Sequence, residues 1–227
     1  MMKLWLPALL VLLAATPHSQ AVAPSADGIG KTYHGREIAR VMGFEGAAWL
    51  ERPEREAEER PDLLVAALSL RKGMNVADIG AGSGYLSKRM APSIAPGKLY
   101  AVDVQPEMVQ MLAELSAQPE TVNVVPVLGS EGNVNLRSNS IDLAIMVDTY
   151  HELSQPCEIL QSLLAALKRG GRLVLVEYRG EDPRVPIKTL HKMTISQIRS
   201  EMRQFPLSFE RADERLPLQH IVIFIKK

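Results

Sequence analysis

The stretch that decides the fold is "VADIGAGSGYLSKRM", which runs from Val76 to Met90 and crowds three glycines onto the end of an apolar run. An apolar run, a glycine turn and a helix-forming segment predict a strand, a tight turn and a helix in succession. Glycine tolerates positive φ and lets a ligand approach the backbone, and the start of a helix presents free N–H groups. The stretch therefore predicts a nucleotide-binding turn, without yet saying for which nucleotide.

The glycine spacing argues against two common phosphate sites. The glycines fall at Gly80, Gly82 and Gly84, whereas a G-x-G-x-x-G dinucleotide fingerprint would place its third glycine at Tyr85. No Gly-Lys-Ser/Thr ends the loop, so the Walker pattern also fails. An NAD-dependent oxidoreductase is an alternative that no Tyr-x-x-x-Lys pair supports.

Two aspartates indicate the charge and the sugar of the ligand. Asp78 lies just before the first glycine, where a carboxylate repels a pyrophosphate but attracts a cation. S-adenosylmethionine carries an ammonium and a sulfonium and suits this position. Asp103 closes the next predicted strand about 20 residues on, where an acidic side chain accepts hydrogen bonds from both ribose hydroxyls. Asp103 supports an adenosine ligand in general, since an NAD enzyme would share it.

Apolar runs alternate with helical segments from residue 74 onward, which predicts a parallel sheet with helices on both faces. Strands are expected at about 75–79, 98–103, 122–127, 141–147 and 172–178, and helices at about 84–94, 106–117, 156–168 and 190–204. The last two apolar runs predict an antiparallel hairpin. Upstream, residues 22–31 are interpreted as an aperiodic leader, and the chain from Tyr33 as two or three short helices broken by glycines and prolines.

In these features residues 62–227 resemble the class I S-adenosylmethionine-dependent methyltransferases. The motifs that carry the resemblance are "VADIGAGSG", "YAVDVQPEMV", "IDLAIMVDTYHEL" and "LKRGGRLVLVEY". The resemblance implies a Rossmann-like α/β fold with a seven-stranded, mostly parallel sheet in the order 3-2-1-4-5-7-6 and an antiparallel C-terminal hairpin. The preceding stretch, "GFEGAAWLERPEREAEERPDLL", resembles a group of exported bacterial proteins that carry this domain.

The resemblance also implies a cofactor site for S-adenosyl-L-methionine. The methionine part of the cofactor is expected to contact the glycine turn, at Gly80, Ala81, Gly82 and Gly84, beside Asp78. The ribose is expected to contact Asp103. One face of the adenine is expected to lie on Val104, and the edge of the adenine is expected to contact Ser130 or Glu131. The family more often has Asp in this last loop, and an ordinary solvated turn at residues 129–132 is the alternative there.

The segment "DTYHEL" follows the fourth strand of the predicted sheet and is the expected floor for a methyl acceptor. His151 is the best candidate for a base, because its ordinary pKa is near neutral and Tyr150 and Glu152 flank it. Asp148 ends the strand and would face the cofactor or the acceptor. A structural histidine and a strand-terminal aspartate bonded to loop amides are the alternatives.

Further candidates for the acceptor wall lie elsewhere in the sequence: Tyr178, Arg179, His191 and His220. Trp49 and Arg52 are candidates for a lid over the site, and the alternative is that they belong to the solvent-exposed face of amphipathic helices. Methylation of an exocyclic amine is disfavoured, because "DTYH" lacks the two prolines of that motif. The dipeptide Pro156-Cys157 resembles a cytosine C5 nucleophile but is more simply the first turn of a helix.

The N-terminus has the pattern of a secretory signal peptide at residues 1–21: a lysine, an apolar run and small residues. Its apolar run is shorter than the roughly 20 residues of a membrane span, so a stable span is not expected. The expected organisation is a signal peptide at 1–21, a leader and helical lid at 22–61 and a methyltransferase domain at 62–227. A periplasmic or secreted location is expected, with an uncleaved membrane anchor as the alternative.

The composition limits the remaining functions. Twenty-six basic and 26 acidic residues balance, so no nucleic-acid partner is expected, and Cys157 is the only cysteine, so an internal disulfide cannot form. The five histidines are scattered, and no metal site is predicted. The sequence predicts methyl transfer to a small-molecule or protein acceptor, with a non-catalytic periplasmic binding module as the alternative, and it does not fix the oligomeric state.

Overall fold

The computed structural model describes residues 25–227, so the predicted signal peptide lies outside the described residues. The first elements are two antiparallel strands, β1 (Gly28–Tyr33) and β2 (Arg36–Ala39). The prediction of a leader followed by helix from Tyr33 is therefore wrong over these residues. His34 and Gly35 both have positive φ, 48° and 84°, which is the requirement of a two-residue hairpin turn that matches the strand twist.

Three short helices follow, as the broken pattern predicts: α1 (Ala47–Leu50), α2 (Arg55–Glu58) and α3 (Pro61–Ala67). Pro61 is the first residue of α3, where its missing N–H costs nothing and its fixed φ suits the helix. A short 3-10 turn at Phe44–Gly46 leads into α1. These helices connect the hairpin to the main sheet.

The main sheet contains the strands β3 (Val76–Ile79), β4 (Leu99–Asp103), β5 (Val124–Leu128), β6 (Ile141–Val147), β7 (Leu167–Arg179), β8 (Lys192–Met193), β9 (Leu207–Asp213) and β10 (Gln219–Lys226). Helices α4 (Ser87–Ile94), α5 (Pro106–Ser116), α6 (Pro156–Ala166) and α7 (Ile195–Met202) cover its faces. The strand order is β5-β4-β3-β6-β7-β10-β9, with β8 added beside β7. Strands β3 to β8 pair in parallel, and β10 pairs antiparallel with β7 and β9. The predicted fold class is confirmed.

Two elements differ in detail from the sequence prediction. The helix expected at 190–204 is shorter and begins at Ile195, because the residues before it form a 3-10 turn and β8. The polar stretch between β5 and β6 is a loop. Among residues 25–227, no helix is both long and apolar enough to cross a membrane.

The core lies on both faces of the parallel strands. In β6, Leu143 and Ile145 pack into one apolar cluster, whereas Ala144 and Met146 pack into the other. Successive side chains of a strand point to opposite faces, so a strand covered on both sides reads as an unbroken apolar run. This double burial aligns the carboxyl ends of the strands at one edge of the sheet.

The central position of Ile145 makes it a sensitive probe of this core. Ile145 is fully buried and is flanked by β3 and β7. We expect Ile145→Ala to lower the free energy of unfolding by about 2–5 kcal/mol, because transfer and cavity costs add. Urea denaturation measures the change. Val122→Ala is the control, since Val122 is 68% exposed and its truncation should change stability by no more than about 0.5 kcal/mol; equal effects of the two variants would contradict the packing described.

Candidate active site

A cavity of about 780 Å³ opens at the carboxyl edge of the parallel strands. Its floor is formed by residues that follow β3, β4, β5 and β6, and its far side by the hairpin, α1 and the segment after β7. Open α/β sheets bind ligands at this edge, where loops from neighbouring strands diverge. The cavity is also of the size that encloses a small organic ligand.

The glycine turn after β3 forms part of the cavity floor. Gly80 and Gly82 line the cavity and have φ of 71° and 55°. A Cβ on Gly80 would lie 2.4 Å from the Thr149 side chain, so a larger residue would collide with the loop after β6. Ala81 and Gly84 are not in the lining, and Gly84 faces Leu115 on α5 instead. The structure thus brings two of the four predicted turn residues to the cavity.

Asp103 ties the glycine turn to the end of β4. Its Oδ2 accepts a hydrogen bond of 2.9 Å from the Gly82 N–H, and its Oδ1 accepts one of 3.0 Å from the Gln105 N–H. Asp103 lines the cavity and is buried, and burial raises the pKa of its carboxyl group despite these two donors. Val104, the next residue, is 44% exposed and presents an apolar surface to the same cavity.

Asp78 lies behind the turn and does not line the cavity. It is only 3% exposed, and its Oδ2 accepts a hydrogen bond of 2.7 Å from the Ser87 hydroxyl at the start of α4. Burial raises the pKa of Asp78 to about 6, more than the Ser87 bond lowers it. In the described residues this carboxyl group joins β3 to α4 and makes no contact with the cavity.

The adenine-edge candidates lie in the loop after β5. Ser130 and Glu131 both line the cavity. Glu131 Oε2 accepts hydrogen bonds from the Ser154 hydroxyl at 3.0 Å and from Gln155 Nε2 at 3.3 Å. These bonds hold the loop against the segment that precedes α6.

Asp148 stands at the end of β6 with a φ of 50°. It lines the cavity, and its Oδ2 accepts a 2.6 Å hydrogen bond from Gln219 Nε2. Its Oδ1 is buried and has no hydrogen-bond partner among the described residues. Burial, together with the nearby Glu59 and Glu177, raises the pKa of Asp148 well above its usual value. A buried acidic oxygen without a partner is expensive, and a cationic or hydrogen-donating ligand group would remove that cost.

His151 lies in a 3-10 turn at Tyr150–Glu152, three residues after Asp148, and it also lines the cavity. Its Nδ1 lies 2.5 Å from Glu177 Oε2, and its Nε2 lies 3.1 Å from His191 Nδ1. Burial lowers the pKa of His151, but the Glu177 charge and hydrogen bond raise it further, so the net shift is upward. A carboxylate on Nδ1 fixes the neutral tautomer that keeps the proton there and leaves the lone pair on Nε2.

Tyr150, the third predicted catalytic residue, points away from the cavity. It is fully buried, and its hydroxyl donates a 2.6 Å hydrogen bond to Glu201 Oε2. Arg36 from β2 also binds Glu201, and one of its guanidinium nitrogens donates to the His151 carbonyl at 3.0 Å. The Tyr150 side chain therefore holds the turn that carries His151 and lies outside the cavity lining.

Of the other residues predicted from the sequence to lie near the acceptor, some line the cavity and some lie outside it. His191, Tyr178 and Trp49 line the cavity, whereas Arg179, His220 and Arg52 do not. Tyr178 donates a hydrogen bond of 3.2 Å to Glu59 Oε1. Pro156 is the first residue of α6, so Cys157 lies within the helix, as the simpler interpretation predicts.

Sequence reasoning missed Glu177 and the hairpin's share of the cavity wall. Glu177 is fully buried in β7, and a lone acid in the apolar run "RLVLVEY" is the signal that would have indicated it. The hairpin contributes residues on both sides of β1 and β2, including Asp27 and Arg40. No local pattern in a segment interpreted as a leader indicates that wall.

The fold and the site together define a Rossmann-like α/β protein with a nucleotide-type cavity at the carboxyl edge of its sheet. Residues 70–217 match a family model described as a methyltransferase domain. The match covers more than half of the chain, and the chain belongs to this family.

Three relatives illustrate the similarity. A protein-L-isoaspartate O-methyltransferase of Methanothrix thermoacetophila is 30% identical over 109 residues, which are 48% of this chain and 49% of that protein. An uncharacterized 37.1 kDa protein in transposon TN4556 of Streptomyces fradiae is 28% identical over 122 residues, 53% of this chain and 35% of that protein. The chain thus spans about half or less of these curated relatives. A crystal structure of a SAM-dependent methyltransferase from Aquifex aeolicus superposes with a TM-score of 0.77 at 23% identity, covering 82% of this chain and 100% of that one.

The raised pKa of Asp78 predicts a specific pH dependence of stability. The folded pKa of about 6 exceeds the ordinary value of 3.8, so between these values the folded state holds a proton that the unfolded state has released. The stability contributed by Asp78 should therefore fall as the pH rises from about 4 to 6, by about 3 kcal/mol in all.

Chemical denaturation of the parent protein and Asp78→Asn from pH 4 to 7 measures this contribution. Asparagine keeps an acceptor for Ser87 but does not titrate. The stability of Asp78→Asn relative to the parent should rise across the window, and parallel curves would show that Asp78 has an ordinary pKa.

Proposed function

We propose that the protein transfers the methyl group of S-adenosyl-L-methionine to a small-molecule or protein-borne acceptor in the same cavity. The observation that carries the proposal is the meeting of three features on one cavity wall. They are the positive-φ turn at Gly80 and Gly82, the Asp103 carboxylate that holds it, and Asp148, whose Oδ1 has no partner among residues 25–227. Membership of the methyltransferase-domain family supports the reaction type.

The residues present fit the charge and shape of this cofactor. Each Asp103 oxygen accepts one backbone N–H and has a further lone pair for a ribose hydroxyl. Asp148 lines the same cavity and suits the ammonium group of the methionine end, and a cation bound beside it would favour the ionised carboxylate. The exposed face of Val104 suits an adenine ring, with Ser130 or Glu131 at the ring edge.

Methyl transfer requires the protein mainly to position the cofactor and the acceptor. The bound cofactor supplies a methyl group on a sulfonium, already activated toward a lone pair of the acceptor. The cavity holds the two reactants in line and excludes water. His151 lines the cavity, and its Nε2, which lies 3.1 Å from His191 Nδ1, is the proposed proton acceptor where the methyl acceptor must lose a proton; Glu177 stabilises the resulting imidazolium.

Export by the signal peptide at residues 1–21, as in the group of bacterial proteins that the upstream stretch resembles, is part of the proposal and is supported by the sequence alone. Its consequence is that the cofactor, which is made in the cytosol, must be supplied outside it. Fractionation of expressing cells measures this: cleaved protein in the periplasm or medium agrees with export, and uncleaved protein in the membrane fraction indicates an anchor.

Cofactor binding should depend on Asp103. We expect S-adenosylmethionine and S-adenosylhomocysteine to bind the purified protein in the micromolar range by calorimetry, and Asp103→Ala to abolish binding, because it removes the ribose acceptor and the support of Gly82. Glu107→Gln is the matched control, since Glu107 is an exposed acid on α5 outside the cavity lining. Circular dichroism checks that both variants fold. Absence of binding to the parent protein, or equal binding by Asp103→Ala, would refute the cofactor assignment.

Turnover should depend on His151. We expect His151→Ala and His151→Gln to lower methyl transfer by about 10²–10⁴-fold with cofactor affinity nearly unchanged, because a proton acceptor and acceptor contact are lost. Glutamine retains a donor for the buried Glu177, which guards against misfolding. Label transferred from radioactive cofactor to components of a cell extract measures turnover. His34→Asn, at an exposed histidine outside the cavity, should retain full activity; full activity of both His151 variants would remove this residue from the reaction.

A further inference from the structure

Three potential metal ligands lie close together on the cavity wall, at the part where the methyl acceptor is proposed to bind. His151 and Glu152 come from the 3-10 turn after β6, and His191 comes from a second 3-10 turn, Thr189–His191, after β7. His191 Nδ1 lies 3.1 Å from His151 Nε2 and 3.2 Å from Glu152 Oε1, and the latter two atoms are 3.8 Å apart. All three residues line the cavity.

These separations suit one small ion. The equidistant point in the plane of the three atoms lies about 2.0 Å from each, which is the length of a Zn–N or Zn–O bond in proteins. The two imidazole rings are inclined at 76° with centroids 5.0 Å apart, so they meet in a T-shaped arrangement rather than stacking. Hydrogen bonding alone explains this geometry poorly, because His191 Nδ1 would have to bond both His151 Nε2 and Glu152 Oε1.

The surroundings of His151 prepare it as a ligand. Glu177 Oε2 lies 2.5 Å from Nδ1 and keeps the proton on that nitrogen, which leaves Nε2 free to donate its lone pair. A carboxylate behind a histidine is the common support of a metal-binding imidazole. His151 is 1% exposed and Glu177 fully buried, so the ring is held in a single orientation.

The local charge also suits a divalent cation. Glu152 at the site and Glu177 behind it together carry the charge that balances two positive charges. Two cationic side chains in this region are paired with other carboxylates, Lys188 with Asp27 and Arg36 with Glu201, although Arg36 also donates to the His151 carbonyl. Two nitrogen donors and one carboxylate are the ligand set that favours zinc and its neighbours over magnesium or calcium.

We propose that His151, Glu152 and His191 bind one divalent transition-metal ion of the Zn²⁺ class. Three protein ligands leave a coordination position open on an ion whose ligand residues all line the cavity. The two histidines are 40 residues apart and no local spacing pairs them, so the sequence alone does not indicate this metal site.

A role for the ion rests on the proposed function. The open position would take an oxygen or sulfur atom of the methyl acceptor and favour its ionised form, as zinc does for bound water. In the metal-loaded protein His151 Nε2 is then a ligand, and the ion takes the place of the imidazole as the group that contacts the acceptor. Acceptors with an ionisable hydroxyl or thiol are the class that this arrangement suits.

Metal binding is tested without cofactor. The purified protein, treated with a chelator and dialysed, should bind one Zn²⁺ per chain in calorimetry, and Co²⁺ should give the visible absorption of a four- or five-coordinate site. Glu177→Gln should weaken binding by about 10–100-fold, the usual effect of losing an outer partner, and His191→Ala should weaken it more. His191 is partly exposed, so its truncation should leave the fold intact.

His34→Asn is the control for adventitious binding to a surface histidine and should bind zinc as the parent does. Binding well below one ion per chain, or equal binding by the parent and His191→Ala, would overturn the proposal.

Cofactor calorimetry on the same samples separates the metal site from the proposed function, since a protein that binds cofactor but no metal contradicts only the metal site. Labelling activity that is lost on chelation and restored by Zn²⁺ would support the role at the acceptor, and activity unaffected by chelation would overturn that role.

Discussion

The buried carboxylate of Glu177 is the contact on which the rest of the cavity wall depends. Its Oε1 accepts a 3.1 Å hydrogen bond from the Tyr150 N–H, and its Oε2 lies 2.5 Å from His151 Nδ1. One side chain on β7 thereby fixes both the backbone of the turn after β6 and the ring that the turn carries. A buried charge is costly without such partners, so the strand and the turn hold each other in a single arrangement.

This contact works because the sheet brings the two strand ends together. Strands β6 and β7 are parallel neighbours with Val147 opposite Val176, so the residues that follow β6 lie beside the last residues of β7. Cores on both faces prevent either strand from sliding, since a shift by one residue would turn its side chains to the wrong face. The packing of apolar residues far from the cavity therefore sets the positions of its polar groups.

The sequence predicts most of the strands of this sheet well, because strands buried on both faces leave apolar runs that end near Asp103 and Asp148. The sequence prediction fails where a turn decides the structure, as in the hairpin whose His34 and Gly35 adopt positive φ within a segment interpreted as a leader and the start of a helix. The position of Asp78 follows from strand alternation, which directs it to the α4 face together with Val76. The cluster around His151 and His191 could not be predicted, since it depends on two short turns that only the tertiary structure brings into contact.

The last part of the chain supplies groups that hold residues far earlier in it. Gln219 on β10 binds Asp148, and Glu201 on α7 binds both Tyr150 and Arg36. During synthesis the glycine turn and the first parallel strands leave the ribosome well before these partners do. The residues of the cavity floor are thus synthesised before the groups that hold Asp148 and Tyr150, so a chain that ended before α7 would lack both supports.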